Sequence, residues 1–226
     1  MKLSVIIPCF NESEHISDVL DAVCEVDIPK EIIVVDDGST DQSAAIVDEY
    51  SKKHPVIIHR SIVNFGKGAA IRIGLQYATG DYIIIQDADL EYDPKQYPQM
   101  LAPLIDGQAS VVYGSRFRGN IKGMKLPNRI ANYILALTAN ILYNAKITDE
   151  ATCYKAFKAD LIKKLPLKCN RFEFCPEVTA KIRKLGIPIY EVPIYYVGRS
   201  TAEGKKIRWT DAFSAIWTLI KYRFIN

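Results

Sequence analysis

Short runs that are almost wholly apolar alternate along this chain with longer stretches whose apolar residues recur every three or four. Residues 3–8, 31–35, 56–58, 81–85 and 109–113 belong to the first kind. Residues 13–26 belong to the second, with Ile16, Val19, Leu20 and Val23 at helical spacing. Further helices are predicted at 41–53, from the 64–68 segment to about 78, and at 94–106. Ser39, Thr40 or Asp41 can cap the helix at 41–53. Strands that are apolar throughout, alternating with helices, predict a parallel sheet covered on both faces. Such sheets bind ligands beyond the carboxyl ends of their strands.

Three of those ends are polar or acidic: Pro8-Cys9-Phe10-Asn11-Glu12, Asp36-Asp37 and Asp87-Ala88-Asp89. In an extended chain residues i and i+2 face the same way, so Asp87 and Asp89 can converge. Two like charges in one small volume repel unless a cation or a proton joins them. Hard oxygen ligands suit Mg²⁺ or Mn²⁺, and Mg²⁺ is usually held by one or two carboxylates plus substrate phosphates. The tripeptide alone reads equally as a polar turn after a buried strand. Caps and turns account for Ser39 to Asp41, but not for the carboxylates stacked before them. Gly66-Lys67-Gly68 fits neither G-x-x-x-x-G-K-[ST] nor G-x-G-x-x-G. A glycine-rich helix start can approach a phosphate, yet a turn is the favoured reading.

The 226 residues suffice for a single core, and 49% apolar with 24% charged residues is a globular composition. Net charge is only +3, but it is unevenly spread. Residues 1–113 hold 8 Lys and Arg against 18 Asp and Glu; residues 114–226 hold 21 against 8. The second half is therefore expected to face anions. Five cysteines without a C-x-x-C pair, and three scattered histidines, give no zinc-ligand spacing and predict free thiols in a reducing cytoplasm. The apolar start is too short for a signal peptide, and no run is long enough for a spanning helix. No basic-aromatic module for nucleic acid is visible.

Val5-Ile6-Ile7-Pro8, Val34-Val35-Asp36-Asp37-Gly38-Ser39-Thr40-Asp41, Asn64-Phe65-Gly66-Lys67-Gly68, Asp87-Ala88-Asp89 and Gly114-Ser115-Arg116 follow one another here. That is the order of motifs in family-two glycosyltransferases, and the chain resembles most closely their dolichyl-phosphate (polyprenyl-phosphate) mannosyl- and glucosyltransferase branch. The resemblance continues through Thr152-Cys153-Tyr154-Lys155, Arg171-Phe172-Glu173-Phe174, Glu177 and Arg199 to Glu203-Gly204-Lys205-Lys206-Ile207, and so covers nearly the whole chain. It implies an α/β GT-A fold, a Rossmann-like, mostly parallel sheet flanked by helices, in one domain over 1–226. Within it, 1–113 would be the nucleotide-sugar-binding half, 114–206 the acceptor side and 207–226 an amphipathic C-terminal helix.

Carried over position by position, Pro8, Phe10, Glu12, Val35 and Asp37 would surround the base and ribose of the donor. Asp87, Ala88 and Asp89 would hold the metal and diphosphate, with Glu91 beside them where mannosyl enzymes of this group often have Gln. Asp89 would be the principal metal ligand, while Asp87 serves the donor more than the ion. Arg116, Arg129, Arg199 and Lys205 match positions that meet donor or acceptor phosphates, and Asp89 and Arg116 are the expected catalytic residues. The implied reaction is inverting transfer of a hexose, mannose before glucose, from a GDP- or UDP-sugar to polyprenyl phosphate, with Mg²⁺ or Mn²⁺. A phosphate acceptor is already an anion, so catalysis can rest on positioning and charge neutralisation without a histidine base. The alternatives are a soluble glycan or polysaccharide acceptor, and a catalytically silent nucleotide-sugar-binding scaffold.

Three further segments carry expectations. Arg116, Arg118, Lys122 and Lys125 are placed in a glycine-containing loop after the fifth strand, read either as a mobile phosphate-gripping loop or as a solvated basic one. Glu173 and Glu177, four apart, share a helix face as exposed carboxylates or as sugar contacts. Residues 126–143 carry Ile130, Tyr133, Ile134, Leu137, Ile141 and Leu142, and 207–226 carry Trp209, Phe213, Ile216, Trp217, Ile220 and Phe224 with Lys221 and Arg223. An aromatic stripe with cationic flanks suits a helix lying on a membrane, and equally one docked on the core. Several relatives of that branch continue into transmembrane helices where this chain stops, so an enzyme peripheral to the cytoplasmic face, tethered by a partner subunit, is expected.

Overall fold

The computed structural model describes residues 1–198 and 211–225. The apolar runs of the first half become β1 (Leu3–Cys9), β2 (Lys30–Asp36), β3 (Val56–Arg60) and β4 (Tyr82–Ile85). They pair in parallel, β3 on β2, β2 on β1 and β1 on β4. Helices α1 (Ile16–Glu25), α2 (Ser43–Ser51) and α3 (Lys67–Tyr77) make the crossovers. Ile6, Ile33 and Ile84 are fully buried, as a sheet covered on both faces demands. Each such side chain contributes roughly 1.5–3 kcal/mol relative to an exposed one. A 3₁₀ turn at Pro94–Gln96 leads into α4 (Tyr97–Ile105).

The second half adds β5 (Val111–Lys122), α5 (Leu126–Tyr143), β6 (Lys155–Lys158), α6 (Ala159–Lys164), α7 (Phe174–Lys184), β7 (Tyr190–Val197) and α8 (Asp211–Phe224). The complete sheet runs β3-β2-β1-β4-β6-β5-β7. β6 is antiparallel to both neighbours, whereas β7 is parallel to β5. One sheet thus spans the two halves, and residue 113 falls inside β5.

β5 corrects the expected loop. Arg116, Arg118 and Lys122 lie in a strand that continues to residue 122, paired with β7 across a register shift between Ser115 and Asn120. Gly119 permits that pairing, because a Cβ there would run into the Ile194 backbone. Lys125 directly precedes α5. The Glu173/Glu177 expectation also changes. Glu177 is buried and accepts from the Lys168 and Cys169 N–H groups (both 2.8 Å) and from Lys181 Nζ (2.6 Å). It anchors a loop rather than facing sugar or solvent.

α5 and α8 pack together, with Tyr143 OH donating to the Leu219 carbonyl at 2.6 Å. α8 docks through Thr218, Leu219 and Tyr222, while Phe213, Trp217, Ile220 and Phe224 stay exposed in one stripe. Ile130, Tyr133, Ile134, Leu137 and Ile141 form a second exposed stripe on α5. The docked reading therefore holds for one face of each helix, and the opposite faces carry exposed apolar side chains. Trp209 lies outside the described residues. Among the described residues no helix is long and apolar enough to cross a membrane.

Candidate active site

The carboxyl ends of β1, β2 and β4 and the start of α3 enclose a cavity of about 440 Å³. Pro8, Phe10 and Glu12 reach it from β1, Asp37 from β2, and Asp87, Ala88, Asp89 and Glu91 from beyond β4. Asn11 turns the chain at the end of β1 with a φ of 49°, and its side-chain Oδ1 accepts from Thr40 N–H at 2.8 Å. None of the three expected residues is the cap of α2, which is Gln42, but Asp41, one residue earlier, accepts from Ser43 N–H at 2.9 Å. Burial would raise its pKa, but bonds from Ser43 and Ser13 hold it at about 2.

Asp37 is buried and accepts from the Phe65 and Gly66 N–H groups at 3.0 and 2.6 Å. Gly66, at a φ of 103°, and Gly68 are required by close packing. A Cβ on either would lie 2.6 Å from the carbonyl of Asn170 or Cys169, respectively. The motif is the glycine-rich helix start rather than the favoured turn, with Gly66 at the N-cap of α3, and its Lys67 lines the cavity and forms an ion pair with Asp87. Burial works against the Lys67 charge, and Asp87 more than offsets that, so the ammonium is held above its ordinary range.

β4 ends at Ile85, so strand alternation does not bring Asp87 and Asp89 together. A buried amide shapes their loop instead. Gln86 Nε2 donates to the carbonyls of Asp87 and Tyr92 (both 3.1 Å), and its Oε1 accepts from Tyr97 OH at 3.0 Å. Asp89 accepts from Glu91 N–H at 3.0 Å, and Glu91 accepts from Tyr196 OH at 2.8 Å. Among the described residues no three of His, Cys, Asp and Glu gather into a ready-made metal cage. Hard carboxylate oxygens beside a cavity nonetheless suit a cation completed by substrate phosphates.

A second cavity, of about 110 Å³, lies against the first and shares Asp87, Glu91 and Phe172 with it. It extends past Arg116 to Asn128, Asn132 and Leu135 of α5 and to Ala212 and Ala215 of α8. Arg116 is buried and forked onto Asp149, with Nε–Oδ2 and Nη2–Oδ1 both 2.7 Å. Glu191 of β7 fixes that segment by accepting from Thr148 and Asp149 N–H groups at 2.8 and 3.0 Å.

The remaining expected residues are placed elsewhere. Val35 is wholly buried within β2 and lines neither cavity. Arg129 is exposed on α5, also outside both. Arg199 and Lys205 lie outside the described residues. All five cysteines are free thiols.

This architecture is that of the GT-A glycosyltransferases. Glucosyl-3-phosphoglycerate synthase from Mycobacterium tuberculosis, crystallised with Mn²⁺, uridine diphosphate and phosphoglyceric acid, superposes with a TM-score of 0.76 at 22% identity, over 100% of this chain and 79% of that one. The model of glycosyl transferase family 2 matches residues 4–166, and the chain belongs to that family. An uncharacterized protein of Methanocaldococcus jannaschii is 31% identical over 228 residues, covering 97% of this chain and 91% of that protein. Dolichol-phosphate mannosyltransferase of Pyrococcus furiosus is 28% identical over 214 residues, covering 91% of this chain. The chain spans 59% of that relative's length.

Proposed function

We propose that this glycosyltransferase moves a hexose, mannose before glucose, from a GDP- or UDP-sugar to dolichyl or another polyprenyl phosphate, inverting the anomeric carbon. The observation that carries the reading is that the two cavities lie against each other. The carboxylate-rich cavity at the strand ends borders, at Asp87, Glu91 and Phe172, a second cavity that reaches α5 and α8, whose outer faces are apolar. A water-soluble donor and a membrane-borne acceptor would thus approach from opposite ends. The likeness to a dolichol-phosphate mannosyltransferase supports the same acceptor class.

Pro8, Phe10, Glu12 and Asp37 would receive the nucleoside, and Asp87, Ala88, Asp89 and Glu91 the diphosphate. Asp89, with Asp87 and Glu91 beside it, would hold Mg²⁺ or Mn²⁺, which supplies Lewis-acid stabilisation of the leaving diphosphate. Lys67 and Arg171, both lining the first cavity, would add positive charge there. Arg116, clamped by Asp149, would present a preorganised charge where donor and acceptor phosphates meet. The α5 and α8 stripes would lie on the cytoplasmic face of a membrane, with Lys221 and Arg223 toward anionic headgroups and a partner subunit as further anchor.

The test is a radiolabelled panel of UDP- and GDP-hexoses against dolichyl and undecaprenyl phosphates, with Mg²⁺, Mn²⁺ or EDTA. Label extractable into organic solvent is expected with metal only. A second reading, transfer to a soluble phosphorylated acceptor, is favoured by the M. tuberculosis neighbour, crystallised with phosphoglyceric acid. Label that moves to soluble acceptors and never to lipid would replace the first reading with the second.

A further inference from the structure

Most polar side chains around the two cavities have identified partners, but one oxygen of Glu150 is an exception. Its side chain is fully buried and lines the second cavity. Oε1 accepts from Thr179 Oγ1 at 3.1 Å, and Thr179 is in turn bonded to Tyr113 OH at 2.9 Å. Oε2 is buried with no hydrogen-bond partner among the described residues. The nearby Lys155 does not supply one. Its ammonium donates to the carbonyls of Glu150 and Thr152 at 2.8 and 2.5 Å and sits 3.8 Å from the centre of the Tyr113 ring. An unsatisfied buried acceptor costs roughly 1–3 kcal/mol, more for a charged group. An apolar side chain would therefore be the more stable occupant of this position, unless a ligand completes it.

The surroundings suit a sugar better than a lipid tail. Asn128 and Asn132 bring amides to the cavity, Glu91 a carboxylate, and Phe172 and Tyr196 ring surfaces. Such a mixture of carboxylate, amide and aromatic groups matches the hydroxyls and C–H faces of a pyranose. The cavity borders the first at Asp87 and Glu91, where the proposed donor diphosphate would end and its sugar begin. We propose that the second cavity receives the transferred sugar and that Glu150 is its specificity residue, with Oε2 accepting a hydrogen bond from one sugar hydroxyl. The inference rests on the nucleotide-sugar reading above and adds to it the residue that chooses the sugar.

A cycle between the side chain and the hydroxyl tests this. Donor binding is measured by calorimetry with Mn²⁺, using the preferred nucleotide sugar, its monodeoxy analogues and the free nucleoside diphosphate. The parent is compared with Glu150→Met and Glu150→Leu, each checked by thermal unfolding. One monodeoxy donor is expected to bind the parent about tenfold more weakly, and both variants with less than twofold loss. Free nucleoside diphosphate should bind all three proteins within twofold. If the intact donor binds but every deoxy loss is the same in parent and variants, Glu150 reads no hydroxyl and the assignment is overturned alone. If the parent binds no nucleotide sugar, the functional reading fails and takes this inference with it.

Discussion

The two cavities share a wall but are built in opposite ways. The first is made of short contiguous motifs, each at the end of a parallel strand or the start of a helix. Its carboxylates are held mainly by backbone N–H groups, two on Asp37 and that of Glu91 on Asp89, with Asp87 paired to Lys67. The second is assembled from β5, α5, the segment before β6, α7, β7 and α8. Its charges rest on long-range partners, Arg116 on Asp149 and Asp149 on Glu191. A surface made of strand ends tolerates change piece by piece, whereas a buried network fails when one member is removed.

Asp149→Ala should therefore have the largest effect, leaving Arg116 buried without its partner. A loss of about 3–5 kcal/mol in urea unfolding is expected. A loss under about 1 kcal/mol would show that the pair does not hold the second cavity together. Asp89→Asn attacks the first cavity and should leave stability nearly unchanged. Its transfer rate at saturating donor should drop about a hundred- to a thousandfold, and an undiminished rate would remove Asp89 from the metal shell. Lys67→Met strips Asp87 of a charge-assisted bond and should raise the donor KM about tenfold, with a smaller change in kcat. A change confined to kcat would contradict its place beside the bound donor.

A pH dependence also separates the cavities. Burial pushes the Glu150 carboxyl from 4.5 up to about 7, with Lys155 opposing the shift. The folded protein thus holds this proton more tightly than the unfolded chain, and stability falls as pH rises from about 4.5 through about 7. Glu150→Gln should match the parent near pH 4 and exceed it in urea midpoint at pH 8. A difference independent of pH would mean that Glu150 does not titrate in this range.

The same contrast explains how much could be read from the chain. The parallel strands and the acidic rim were legible because fully apolar runs end in carboxylates. Asp87 and Asp89 were identified rightly as neighbours at one cavity, but for a geometry that Gln86, not a strand, enforces. β6 escaped notice because it has four residues and begins with Lys155, whose ammonium is satisfied by two carbonyls. Arg116 looked like part of a basic loop because its partner Asp149 lies 33 positions away. Glu150 stood beside a quoted motif, but nothing local signals a carboxyl oxygen left without a partner.

The place of β6 has a consequence for synthesis. Ile84 in β4 has Ala156 as its neighbour on that side, so this edge of β4 stays open until the chain has grown past β6. At ribosomal speeds of roughly 5–20 residues per second that interval lasts several seconds or more. During it, β1 to β4 present an exposed, all-apolar strand edge, the kind of template that pairs with other nascent chains. Yield on overexpression should then depend on translation rate and on chaperones that shield this edge, more than on the stability of the finished fold.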